Sequence, residues 1–455
     1  MRAHHHLAAL GLGVLLAACG GKNENPPPTS PPPATTAPAE PATKPSEMET
    51  GVAPAEADAT AEATAPAEAD AGATAAPPAA GEPVEVVLWH SYRAGELDAF
   101  NQVVDNYNKS QNEVHIRSQA IPYDPFVDKI TITVPRGQGP DLFIFAHNMI
   151  GNWVEKGVLE PISGKVEGDY LKQFLPDSVK ALVYRKNLYG LPIAFKSLVM
   201  FYNKDLLPEA PATMEELVPK VKALQTDDRS GIVYQAGGLY FHAMWIYAFG
   251  GQIFNDEHKP AFATPEQVQA VEYVRGLHFD QGVVPGGITG SNVTSLFNQG
   301  NAVVVFNGPW FRPEIQGVNY GVATIPTVDG KTPKPMLGIE AVFVTKTSEK
   351  KEAALKAAMY LAGAESAKVR MEVGKQPVCQ QETLEAGAKA DPVMNVFMEQ
   401  AKNAVLMDST PEMQVLWTPA DIAIAAGIFV KDRDPKAELD KAQAKMEADI
   451  GKLGQ

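Results

Sequence analysis

The chain has 455 residues, with 54 acidic against 39 basic side chains and a formal charge of −15. That length exceeds one ordinary domain, and no basic patch marks a nucleic-acid surface. Two cysteines, Cys19 and Cys379, are too few for a disulfide framework.

Residues 1–19 read as an export signal. Arg2 with His4, His5 and His6 makes a polar start, and Leu7 to Leu16 is an apolar run too short to span a bilayer. Leu16-Ala17-Ala18-Cys19 has the form of a bacterial lipobox. Cleavage there leaves Cys19 first, with its sulfur lipidated. An ordinary signal peptide that contains a cysteine is the alternative. With Cys19 so used, Cys379 has no partner and reads as a small buried hydrophobe.

Residues 20–83 read as a disordered tether. From 22 to 83 there is no Phe, Tyr, Trp, Leu or Ile; Ala, Pro, Glu, Thr and Asp dominate. Such a composition buries too little apolar surface to offset the entropy of ordering, and its prolines stiffen it. Ten acids and two lysines place −8 of the charge there. Arg2 contributes +1, which leaves −8 on residues 84–455.

Structure begins at Pro83-Val84. VEVVLW (84–89) is a β-branched strand signal. Leu97, Phe100, Val103, Val104 and Tyr107 share one helical face. EVHIRSQAI (113–121) alternates like a strand. PYDPFVDKITITVP (122–135) predicts a helix in its middle, although ITITV also suits a strand. LFIFA after Pro140-Asp141 is a continuous apolar strand. This strand–helix–strand–helix–strand order predicts a mostly parallel sheet covered on both faces.

YGLPIAFKSLVMFYNKDLL (189–207) reads as two extended pieces crossing near Lys196. Thr213 with Glu216 has the spacing of a capping box, and Thr264 precedes Pro265 at a second helix start, with Gln267 at its third position. VQAVEYVRGL (268–277) has helical spacing. AVVVF (302–306) is a buried strand ending at Asn307-Gly308-Pro309-Trp310, so the largest apolar side chain stands where the backbone turns. It is either a buried anchor or a flat surface offered to a ligand. YGVATIP (320–326) and AVFVTK (341–346) are further strands. EKKEAALKAAMYLAG (349–363) is a helix closed by Gly363, and residues 435–453 form a last amphipathic helix. No internal repeat and no phosphate-binding loop is present; GGLYFHAMWIYAFGG lacks the lysine and spacing of one.

In this order the chain resembles the extracellular solute-binding proteins of ABC importers, in their maltose/maltodextrin-binding branch. The stretches that carry the resemblance are GPDLFIFAHN (139–148), LPIAFKSLVMFYNKDLLPEAPATMEEL (191–217), FNQGNAVVVFNGPWF (297–311), NYGVATIP (319–326) and PEMQVLW (411–417). The resemblance implies an α/β, two-lobe periplasmic-binding-protein fold of type II with a multi-crossover hinge. Residues 84–194 and 341–390 would make lobe one, and 198–336 and 391–455 lobe two. Crossings are expected near Ala194–Lys196, Leu337–Ala341 and Ala390. Ligand would lie in the cleft and be enclosed by hinge closure.

A sugar ring has apolar C–H faces and a rim of hydroxyls, so its site needs flat aromatic rings and fixed polar groups. By family position, Trp310, Trp417 and Tyr240 are the stacking platforms; core packing is the alternative for each. Trp153 and Trp245 are assigned to core or surface. The polar set departs from the family. Asn148 stands where a carboxylate is usual, Phe145 where a Trp is, and Lys196 where another carboxylate is, while Asp421 lies near the place of an arginine. The loop HSYRAGE (90–96) offers Arg93 and Glu96, and Glu340 lies at a crossing. Each of these charges is a ligand contact or an ordinary surface charge, or forms a salt bridge such as Lys196 with Glu340.

The resemblance thus implies a monomeric, lipid-anchored receptor. It would be held to the cell-envelope membrane by Cys19, with its globular part in the periplasm or outside the cell. It would take a maltose- or maltodextrin-like oligosaccharide and deliver it to ABC permease subunits, without cofactor, metal or nucleic acid. The same fold with another sugar such as trehalose, or a non-sugar solute, is the alternative. An enzyme is the remote one: no glycosidase carboxylate pair stands out, no GxSxG occurs, and His90, His115, His147, His242, His258 and His278 lack the HExxH spacing.

Overall fold

The computed structural model describes residues 81–453. The signal, Cys19 and the tether up to residue 80 lie outside the described residues.

Twelve strands are described. They are β1 (Val84–His90), β2 (Val114–Ala120), β3 (Leu142–Ala146), β4 (Val183–Tyr184), β5 (Asn187–Leu188), β6 (Gly190–Lys196), β7 (Val199–Asn203), β8 (Ser230–Val233), β9 (Ala302–Asn307), β10 (Tyr320–Ala323), β11 (Met336–Val344) and β12 (Val405–Leu406). One sheet runs β12-β11-β3-β1-β2, with β6 also on β11; a second runs β10-β7-β9-β8. β4 and β5 make a small hairpin.

The first sheet forms as the β-branched runs require. Val86 and Leu88 of β1 and Leu142 to Phe145 of β3 are buried, and β1 lies parallel to both β2 and β3. The three strands of that segment are parallel, as predicted, but the sheets as wholes are mixed. β11 returns antiparallel to β3 and β6. In the second sheet, β7 runs antiparallel to β9 and β10, and β8 is parallel to β9. Long-range returns do not show in local patterns, because pairing direction is set by where a distant segment re-enters.

Ile-Thr-Ile-Thr belongs to the helix Tyr123–Thr133, where Thr131 and Thr133 return their hydroxyls to the carbonyls four residues back at 2.7 Å. Gly363 closes the helix Lys351–Ala362 with ordinary extended angles and also starts the next helix, Ala364–Glu372. β11 begins five residues before the predicted 341, and its Gly338 is internal: a Cβ there would meet the Met407 methyl at 2.8 Å. Thr213 and Thr264 cap their helices as expected, but Glu216 does not reach back to Thr213; the two-way box forms instead at Thr289 with Asn292. The Gln267 amide does not reach back; it donates to the Gln252 carbonyl at 2.8 Å.

Two hydrophobic cores result, and the fold is two-lobed α/β. One gathers Phe100, Phe126, Phe143, Trp153 and Phe343 around the first sheet and continues over one face of the second through Phe201, Phe311 and Phe397. The other gathers Met200, Met244, Trp245, Phe306 and Leu416. Trp153 and Trp245 are both fully buried. The chain passes from the first sheet to the second between Lys196 and Val199 and returns along β11; the helix Pro392–Lys402 then packs on β7 and β10.

Candidate functional site

β9 is buried along its whole length, and Gly308-Pro309 turns it into the 3-10 segment Pro309–Glu314. Asn307 steadies the turn by accepting from the Gly308 N–H at 2.9 Å. Phe311 is the anchor, fully buried. Trp310 is half-buried and packs against the margins of both cores. Such a placement leaves indole surface at the line where the two cores meet.

Tyr240 stands in the first turn of the helix Leu239–Ala248, whose other side chains are mostly buried. Its ring lies 6.1 Å from that of Trp310, tilted by 49°, within the range of aromatic pairs. Its hydroxyl is shielded from water and has no hydrogen-bond partner among the described residues. Burial raises its pKa, and the Tyr123 hydroxyl adds to the shift.

Trp417 lies on the helix Pro411–Phe429, half-buried against the second core. One turn later Asp421 accepts from the Leu239 N–H at 2.6 Å, so the helix of Trp417 caps the helix of Tyr240. Burial pushes the Asp421 carboxyl up, and the Leu239 bond opposes it.

Phe145 is not at the surface. It is 4% exposed and stacks between Phe126 at 5.0 Å and Tyr123 at 5.2 Å. The ring that reaches solvent there is Tyr123, 57% exposed. Asn148 is buried in the 3-10 turn His147–Met149, and its carbonyl accepts from Gln414 at 2.7 Å.

The charged residues divide. Arg93, at the start of the helix Ala94–Ser110, is exposed and pairs with Glu314 of the Trp310 turn at 2.8 Å; Gly95 next to it abuts Pro313. Glu96, Lys196 and Glu340 instead form a network in which Glu96 is buried and the other two are half-buried. Lys196 donates to Glu96 at 2.6 Å and stands 3.8 Å from Glu340. Gln376 donates to Glu96 at 2.9 Å, and Tyr92 to Glu340 at 2.8 Å. Burial alone would lower the Lys196 pKa, but Glu340 and Glu96 hold it raised. Burial raises that of Glu340; Lys196 opposes the shift and Glu96 adds to it. The guanidinium of Arg370 is also buried there, with its pKa lowered by burial. Two carboxylates and two cations balance.

Trp310 and Tyr240 thus form an aromatic pair, with Trp417 on a helix fastened to Tyr240's, and Glu96, Lys196 and Glu340 form a separate charged group at the crossing from β6 to β7. Sequence reasoning missed Tyr123, Tyr92, Arg370 and Gln376. Of these only Tyr123 carries a local signal, an aromatic between Pro122 and Pro125 at a helix start. Among the described residues no group of three or more His, Cys, Asp or Glu is arranged to hold a metal ion. No described helix is long and apolar enough to cross a membrane.

Residues 93–368 match the family profile described as bacterial extracellular solute-binding protein. The maltotriose-binding protein of Pyrococcus abyssi (strain GE5 / Orsay) is 29% identical over 381 residues, 80% of this chain and 82% of that protein. A maltooligosaccharide ABC transporter solute-binding lipoprotein of Streptococcus pneumoniae (strain ATCC BAA-255 / R6) is 26% identical over 314 residues, 65% of this chain and 73% of that protein. Among solved structures, a cyclo/maltodextrin-binding protein complexed with maltotetraose superposes with a TM-score of 0.71 at 29% identity, covering 83% of this chain and all of that one.

Proposed function

The chain belongs to the bacterial extracellular solute-binding proteins, and from that premise we propose that it is a lipid-anchored receptor for a maltodextrin-like oligosaccharide. It captures the sugar between two lobes, 84–194 with 341–390 and 198–336 with 391–455, and delivers it to an ABC permease. It acts by binding and release, without turnover of the sugar. The relatives are binding proteins by name, which supports this reading.

The observation that carries it is the half-buried pair Trp310 and Tyr240, 6.1 Å apart at the margin of the cores. Their apolar faces suit sugar C–H groups, and the orphan Tyr240 hydroxyl suits a sugar hydroxyl. Trp417 adds a third ring on the capping helix. Arg93, Asn148, Lys196, Glu96 and Glu340 make the polar surroundings, with Phe145 acting through Tyr123. Closure follows from the ligand's higher affinity for the closed arrangement.

Titration calorimetry against a graded series of maltodextrins, trehalose and unrelated solutes tests the reading. Saturable heat with at least one oligosaccharide is expected, and no heat with any sugar would sink it. The anchor is tested separately: the Cys19→Ala variant is expected in the soluble fraction after cell lysis, whereas the natural chain sediments with membranes.

A further inference from the structure

Residues 93–95 follow β1 of the first sheet, and residues 312–314 follow β9 of the second. The two short segments meet. Arg93 Nε donates to Glu314 at 2.8 Å. The α-carbon of Gly95 lies so close to Pro313 that a Cβ there would stand 2.9 Å from the proline Cβ. Between them Ala94 holds φ at 47°, a left-handed conformation that alanine keeps only where its surroundings impose it.

The Glu314 side of the contact is fixed by its own neighbours. Its second carboxylate oxygen accepts from the Thr294 hydroxyl at 2.9 Å, and its backbone carbonyl accepts from the Asn298 amide at 2.9 Å, both on the helix Gly290–Asn298. Arg312 stands 2.6 Å from Asp391, the cap residue of the helix Pro392–Lys402. The Glu314 side chain is accordingly 16% exposed and that of Arg93 64%. A surface ion pair is ordinarily worth little, because two long side chains must be ordered to make it. Here the carboxylate is already held, so only the arginine has to be ordered.

We propose that Arg93 and Gly95 on one side, with Pro313 and Glu314 on the other, form a latch between the two lobes. The latch closes without sugar and biases the chain toward the arrangement in which the start of the helix Ala94–Ser110 touches the Trp310 turn. This rests on the two-lobe capture reading above. The contact is made by protein groups alone, so it shifts the balance of open and closed arrangements before any ligand arrives, and it must break when the lobes swing apart. Gly95 serves the close approach and not its helix, where alanine would be the better residue.

The full chain is spin-labelled at cysteines replacing the exposed Lys109 and Lys220, one on each lobe, and the distance between the labels is measured without sugar. A short distance is expected for most of the natural chain. Gly95→Ala wedges Pro313 away; Glu314→Gln removes the charge but keeps an acceptor for Thr294. Each is expected to lower the ratio of short to long distances about fivefold. Added salt should lower that ratio in the natural chain and leave it nearly fixed in Glu314→Gln. Melting checks the fold: Gly95→Ala should melt no lower than the natural chain, and Glu314→Gln carries the test if it does. Unchanged distances in both variants overturn the latch, as does a natural chain found only at the long distance. Saturating maltotriose should return the variants to the short distance. Variants that open but ignore the sugar count against the receptor reading and leave the latch standing.

Discussion

The α-carbon of Gly308 lies against the indole of Trp310: a Cβ at Gly308 would stand 2.1 Å from Cζ3 and 2.2 Å from Cη2. The backbone angles there, φ −96 and ψ −178, suit any residue, so the requirement for glycine is one of space alone. Gly308→Ala must push the indole off its seat without straining the chain. Calorimetry is expected to show sugar affinity falling about tenfold or more, close to the loss for Trp310→Ala. A variant that binds as the natural chain does would mean that the ring's position is immaterial.

Tyr240 holds a hydroxyl out of water without a partner, which costs roughly 1–3 kcal/mol. Removing it should relieve the unliganded protein and penalise the bound one. Tyr240→Phe is therefore expected to melt at the same temperature as the natural chain or higher, yet bind sugar at least about fivefold more weakly. If affinity is unchanged, the hydroxyl is not a ligand contact.

How much of this was legible follows from the range over which each signal acts. β3 and β9 are runs of apolar residues buried on both faces, and such runs announce themselves locally. The Pro411–Phe429 helix did not, because it carries Pro419 inside and apolar residues all round, with no periodic face to read. Trp310 and Tyr240 came from family position, and no spacing links residues 70 apart. Lys196 with Glu96 joins positions 100 apart. The pairing of Lys196 with Glu340 is one of the readings the sequence allows, and it is present at 3.8 Å; the closer partner, Glu96, is not signalled by any local pattern. The helix-or-strand ambiguity of residues 122–135 says nothing of the direction the Tyr123 side chain takes.

Lys196 is the counter-charge that lets Glu96 and Glu340 share a buried region. Lys196→Met leaves two carboxylates facing each other away from water, and the expected loss is about 3 kcal/mol of stability at neutral pH. The loss depends on pH in a known sense. Glu340 already has a folded pKa above its ordinary 4.5, so its protonated form is the one the fold prefers. Its contribution is fully present below that ordinary value and is lost as pH rises through the raised one. Without Lys196 the folded pKa rises further. Denaturant melts at several pH values should therefore show the gap between variant and natural chain narrowing from pH 7 downward. A gap that widens on acidification would contradict the network's charge assignment.

His147 ties the crossing together and makes it sensitive to acid. Its Nδ1 accepts from the Ile339 N–H of β11 at 2.9 Å, which leaves Nε2 to donate to the Met407 carbonyl just beyond β12, also at 2.9 Å. The ring is fully buried. Burial lowers its pKa from 6.5 to about 4, against smaller upward effects that include the Met407 bond and Asp408. A depressed imidazole stabilises the fold above the unfolded value of 6.5, and that contribution disappears as pH falls toward 4, where the unfolded chain takes up the proton first. The window is worth about 3 kcal/mol. His90 and His242, lowered by burial to about 4 and about 3, act in the same direction, so the natural chain should lose stability steeply between pH 6.5 and 4. His147→Gln removes one titrating ring while keeping a side-chain donor, and its stability should fall less steeply over that interval although it is lower at pH 7. Parallel curves for the two proteins would show that His147 does not carry the effect. The position of the ring gives this acid loss a place in the mechanism. Protonation of Nδ1 breaks the bond to Ile339, two residues from Leu337 where β11 pairs with β12, so the crossing strand should loosen before either core does. Hydrogen exchange at the Ile339 amide, followed across the same pH range, should accelerate ahead of amides in β1 and β9.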